Sequence, residues 1–121
     1  MEVLLDSNFI ISCVKRKIDF LSELEMLGFK IIIPREVLQE MKDLRIKSRH
    51  EDRMAIDLAV GMLDKGKIKK IKLGDGKIDN KLIDMGKRGA HIASLDAFIK
   101  RSVPNRVVIN NAANKLIIER G

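Results

Sequence analysis

Apolar and polar positions fall into blocks of two lengths along this chain. Glu2 to Leu5, Lys30 to Ile33, His91 to Leu95 and Arg106 to Ile109 are short apolar runs of strand length, and the first ends in Asp6-Ser7-Asn8, the second at Pro34 and the third at Asp96. Ile68 to Leu73 alternates Lys with apolar residues like a strand with one wet face, and Leu116 to Glu119 reads as a last strand. The remaining stretches have helical spacing. Ile18, Leu21, Leu24 and Leu27 predict one helix between the first two strands, stopped by Gly28. Val37, Met41 and Leu44 share a face of a helix over Arg35 to Leu44, and Met54, Leu58 and Met62 mark a further helix closed by Gly66. Gly74-Asp75-Gly76 is a turn into a helix over Ile78 to Lys87, and Ala97 to Ser102 is a short helix. This alternation predicts a single α/β domain over residues 1–121, with a parallel sheet, helices on both faces and right-handed crossovers.

Composition narrows the chemistry. Aromatic residues make up 3% of the chain, with no Trp or Tyr, so the core is expected to be Ile, Leu, Val and Met, and aromatic stacking is not the expected way of holding RNA. The single Cys13 has no partner for an internal disulfide, and with His50 and His91 it offers no zinc spacing, so Cys13 and the methionines at 41, 54, 62 and 85 are assigned to the core. No run reaches the roughly 20 apolar residues of a membrane span, and the acidic first strand is no signal peptide; a cytoplasmic protein away from membranes is expected. A formal charge of +7 attracts polyanions, with nucleic acid the leading partner, although a Lys- and Glu-rich composition equally fits a thermophilic source.

The acids are placed unevenly. Ligands of open parallel sheets bind beyond the carboxyl ends of the strands, and Asp6 and Asp96 each follow an apolar strand. Each is equally suited to cap the helix behind it. With Asp79 at the origin and about 100° per residue, Leu82 and Gly86 fall on one side of it and Ile83 on the other, so Asp79 is expected to point along the apolar stripe, as a cap or as part of a site. Glu40 lies on the shoulder of the face set by Val37, Met41 and Leu44, where long acids commonly reach out to water. Convergence of four acids on one rim suits a hard cation, Mg²⁺ or Mn²⁺.

Four stretches carry a resemblance: VLLDSNFI (Val3 to Ile10), IIPREVLQEM (Ile32 to Met41), IDNKLIDMGKRGAHIASLD (Ile78 to Asp96) and VVINNAANKLIIE (Val107 to Glu119). Together they resemble the PIN-domain family over nearly the whole chain. The resemblance implies a three-layer α/β/α fold around a central parallel sheet and an endoribonuclease dependent on Mg²⁺ or Mn²⁺. It places Asp6, Glu40, Asp79 and Asp96 as catalytic residues and metal ligands, with Asn8 and Ser94 as the polar residues that support the first and last acids. Asn80 stands where many members carry a further acid, and the segment before Asp96 lacks a polar residue often found there; both bear on the number of metals.

The likeness is nearest to archaeal PIN proteins similar to ribosomal-RNA-processing nucleases, with VapC-type toxins as the near alternative and a non-catalytic RNA-binding or assembly module as the second class. Expected partners are RNA with ribosome-assembly proteins or an antitoxin, and a homodimer is compatible with either. Arg45, Lys47, Arg49 and Arg53 form the basic run expected to contact RNA, while Lys65, Lys67, Lys69, Lys70 and Lys72 read rather as a solvated face.

Overall fold

A computed structural model describes residues 1–66 and 68–121; Lys67, part of the second basic run, lies outside them. The elements are β1 (Glu2–Leu5), α1 (Ser7–Lys15), α2 (Phe20–Met26), β2 (Lys30–Pro34), α3 (Arg35–Lys47), α4 (His50–Lys65), β3 (Lys69–Ile71), α5 (Ile78–Lys87), β4 (His91–Ala93), α6 (Ala97–Ser102), β5 (Asn105–Asn110) and β6 (Lys115–Arg120). The sheet order is β3-β2-β1-β4-β5-β6. Five strands run parallel and β6 returns antiparallel to β5.

Period-two alternation in the strands divides the core into two layers. Val3 and Leu5, Ile31 and Ile33, and Ala93 face α1 to α4, where Phe9, Phe20, Leu24, Met41 and Ile56 are buried. Leu4, Ile32 and Ile92 face the other way, onto Leu82 and Ile83 of α5 and Ile99 of α6. The result is the expected three-layer α/β/α arrangement, with its sheet mixed rather than all parallel. A tight turn explains the difference, because Asn110-Asn111-Ala112-Ala113-Asn114 is too short for the crossover that a parallel strand needs, and Asn110 accepts from the N–H groups of Ala112 and Ala113.

Two local features differ from the sequence pattern. Two helices, not one, join β1 to β2: Phe9 and Cys13 bury one face of α1, and Lys17 at φ 59° then turns the chain into α2. On α4 the buried residues are Ala55, Ile56, Ala59 and Leu63, whereas Met54 and Leu58 are more than half exposed. Small Ala side chains let α4 pack closely, so its inner face is one position away from the larger apolar residues. Met54 is therefore not core; Met41 is fully buried, and Met62 and Met85 are half-buried. Gly28 stops α2 at φ 90°, as its position predicts. Cys13 is buried and free, and burial pushes its thiol up to about 12, leaving it inert as a nucleophile.

Candidate active site

Strand order reverses at β1, which has β2 on one side and β4 on the other, so a crevice opens beyond the carboxyl ends of β1 and β4. Asp6 follows β1 directly and Ser94 follows β4. Asp6 is 4% exposed and caps α1 through the Ser7 N–H at 2.9 Å, while Ser94 Oγ donates to its other oxygen at 2.8 Å. Both the cap and the site reading therefore apply to Asp6.

Burial is the main reason that the Asp6 carboxyl is pushed up to about 6, and the negative fields of Glu40 and Asp79 add to it against the hydrogen bonds from Ser94 and Ser7. Those two acids thus share the electrostatic surroundings of Asp6. Ser7 Oγ donates to Glu40 Oε1, tying the start of α1 to the half-buried shoulder of α3. Ser7 went unassigned in the sequence, although a hydroxyl at the first position of a helix that opens on an acid is a legible signal for such a link.

Asp96 is half-buried and caps α6 through the Ile99 N–H at 3.1 Å. Its own N–H donates to Ser94 Oγ at 3.1 Å, so one serine hydroxyl joins Asp6 to Asp96. Asn8 Oδ1 accepts from the Leu95 N–H at 3.1 Å and fixes the intervening loop. Asn8 and Ser94 thus stand between the elements that carry the first and last acids.

Asp79 differs from expectation. Its side chain is exposed at the first turn of α5, not directed into the apolar stripe, because Ile78, Leu82 and Ile83 already seat the helix on the sheet. The capping role is absent too, since Lys77 precedes the helix without a side-chain cap. Glu36, which no strand end or apolar stripe marks in the sequence, is a further acid near the site. Its carboxylate accepts from the N–H groups of Leu73 and Gly74 at 3.0 Å, which lowers its pKa and pins the loop leading to Asp79.

Among the described residues, the four ion pairs are Lys15–Asp52, Arg45–Asp57, Lys70–Asp64 and Arg106–Glu119, so none compensates Asp6, Glu40, Asp79 or Asp96. Nor do three acids or histidines among them meet closely enough to enclose an ion. Mg²⁺ keeps several waters and is commonly held by one or two carboxylates, so uncompensated oxygen donors around a buried Asp6 suit a hydrated hard cation.

Arg45, Lys47, Arg49 and Arg53 are all exposed on α3, α4 and the short link between them. Arg45 donates to both oxygens of Asp57, at 2.6 and 3.2 Å, so its guanidinium is engaged within the protein. A cleft of about 610 Å³ starts at Ser7 and Asn8, passes Ile11 and Leu44, and reaches the Lys15–Asp52 pair. His91 lies at the other end of β4, buried, with Nε2 accepting from Arg120 at 3.2 Å and Nδ1 without a partner among the described residues. No helix is long and apolar enough to cross a membrane among the described residues.

Comparison with known proteins gives a consistent picture. No curated protein sequence matches the chain. Solved structures do match, among them that of the PIN domain endonuclease Utp24, at 19% identity and a TM-score of 0.76, over 99% of this chain and 92% of that one. That likeness establishes the fold, and a family model described as PIN like domain matches residues 3–110. The chain belongs to the PIN-like domain family.

Proposed function

We propose that this protein is a metal-dependent endoribonuclease acting in RNA processing, with Asp6, Glu40, Asp79 and Asp96 around the reacting phosphodiester. The observation that carries the proposal is the buried Asp6 carboxylate, hydrogen-bonded to Ser94 and facing the charges of Glu40 and Asp79 with no cation paired to it among the described residues. Such an arrangement is costly for folding and useful for binding a cation. Similarity to an endonuclease over nearly the whole chain supports nuclease chemistry.

Asp6, Asp79 and Asp96 would hold Mg²⁺ or Mn²⁺, with Glu40 holding a ligand or a water. The bound cation supplies a water of lowered pKa and offsets charge building on the phosphate oxygens. Asp6 contributes a carboxylate whose orientation is set by Ser94 and Ser7, and Ser94 keeps Asp96 at a fixed place relative to it. Glu36 holds the loop that presents Asp79. Asn8 fixes the backbone at Leu95 between the two strand-end acids.

The deciding experiment is cleavage of RNA with Mg²⁺ or Mn²⁺ by wild type and Asp6→Asn. We expect loss of at least a hundredfold in rate, and equal rates would refute the assignment. Mn²⁺ should also raise the melting temperature of the wild type but not of Asp6→Asn. A second reading, a non-catalytic RNA-binding module, is favoured by Asn80 and by the lack, among the described residues, of three acids grouped to enclose an ion. It predicts RNA binding without turnover.

A further inference from the structure

Only four aromatic side chains serve this chain, and three of them, Phe9, Phe20 and Phe29, are buried at 0 to 5% exposure. Phe98 is 55% exposed. It sits in the first turn of α6, two residues and about 3 Å along the axis from Asp96. Ile99, beside it in sequence, is fully buried and alone anchors α6 to the core, so Phe98 is not needed to seat the helix. Leu95 adds a second apolar side chain, 37% exposed, just before Asp96.

The backbone under these side chains is held firmly. Asn8 accepts from the Leu95 N–H, Ser94 from the Asp96 N–H, and Asp96 from the Ile99 N–H. The bonds that fix the acids therefore also fix Phe98 relative to them. Lys100 and Arg101 follow on the same helix, while Arg106 beside them is paired with Glu119, so it is the two cations of α6 that favour an anionic partner over an apolar protein surface.

We propose that Phe98 is a stacking platform for an unpaired nucleobase of the RNA, adjacent to the phosphodiester held at the acids, with Lys100 and Arg101 drawing in the neighbouring phosphates. A base within a duplex has its faces covered by its neighbours, so a stacking requirement at this place selects RNA that is single-stranded at the cut. The inference rests on the ribonuclease reading for its position in the substrate. It revises at one residue the expectation that this chain holds RNA without aromatic stacking.

The test uses the absence of tryptophan in the chain, since Phe98→Trp introduces a sole indole reporter. Quenching of its fluorescence by a short RNA without self-complementarity is expected, with much weaker quenching by the same strand annealed to its complement. Phe98→Ala should weaken single-strand affinity about tenfold and raise KM with little change in kcat. Phe98→Tyr should restore affinity and Phe98→Leu should not, because size alone does not provide a π face.

Each failure has a distinct meaning. Cleavage by Phe98→Ala with an unaltered KM, or rescue by Leu as good as by Tyr, overturns the stacking role while the nuclease stands. Quenching by single strands in a wild-type background that cleaves nothing upholds the stacking role while the nuclease reading falls. Self-association lost in Phe98→Ala with RNA affinity unchanged assigns the ledge to a protein contact and overturns the proposal.

Discussion

Asp6, just after β1, and His91, at the start of β4, are both buried polar residues, and acid affects them in opposite directions. The folded pKa of Asp6, about 6, lies above the 3.8 of the free side chain, so the folded protein takes up this proton first. Its contribution to stability is therefore poorest above about pH 6 and improves as pH falls towards 4. Asp6→Asn keeps a capping side chain and should stabilise the metal-free protein at pH 7.5 by roughly 1 to 3 kcal/mol, an advantage that fades on acidification. Burial, Arg120 and the N-terminus hold the His91 pKa below its ordinary 6.5, so stability is lost as pH falls through that value. His91→Gln should remove this loss. Melting temperatures of the two variants from pH 7.5 to 5, measured with chelator, separate the effects; parallel curves would show that neither group titrates as inferred.

At the scale of elements, two helical glycines give opposite expectations for one substitution. A Cβ at Gly86 of α5 would come within 2.5 Å of Val103 and 3.1 Å of Ile92, whereas one at Gly61 of α4 would meet nothing within 4 Å. Gly61→Ala should stabilise by about 0.5 to 1 kcal/mol through helix propensity. Gly86→Ala should destabilise by about 1 to 3 kcal/mol despite the same propensity, because α5 must lift from β4 and so move Asp79. Thermal melts check both, and a stabilised Gly86→Ala would disprove the close packing. The place of Gly86 on the apolar side of α5 was legible from spacing alone. That of the buried face of α4 was not, since periodicity weights large side chains and the contact is made by Ala55 and Ala59.

For the whole molecule, the formal charge is +7 despite the acids of the site, and binding of RNA should fall steeply with salt. Arg49→Glu and Arg53→Glu should each weaken binding and flatten the slope of log affinity against log salt by about 1. Arg45 is a poorer test site, because its partner Asp57 would be left facing a new acid. Slopes unchanged in both variants would remove α4 and the link before it from the RNA path.

What the sequence determined by itself was the order of the strands, that of the helices apart from α1, and the acids that follow strands, since period-two and period-3.6 patterns are local properties. Asp6 and Asp96 were legible because a strand end is a local feature as well. Tertiary structure decided the rest. The direction of β6 follows from a turn too short to cross over, and the exposure of Asp79 from three apolar neighbours that already seat α5. The links from Ser7 to Glu40, from Glu36 to Leu73 and from Ser94 to Asp6 join residues 33, 37 and 88 positions apart. Hydrogen bonds between such distant residues exist only once the sheet has brought its strand ends together.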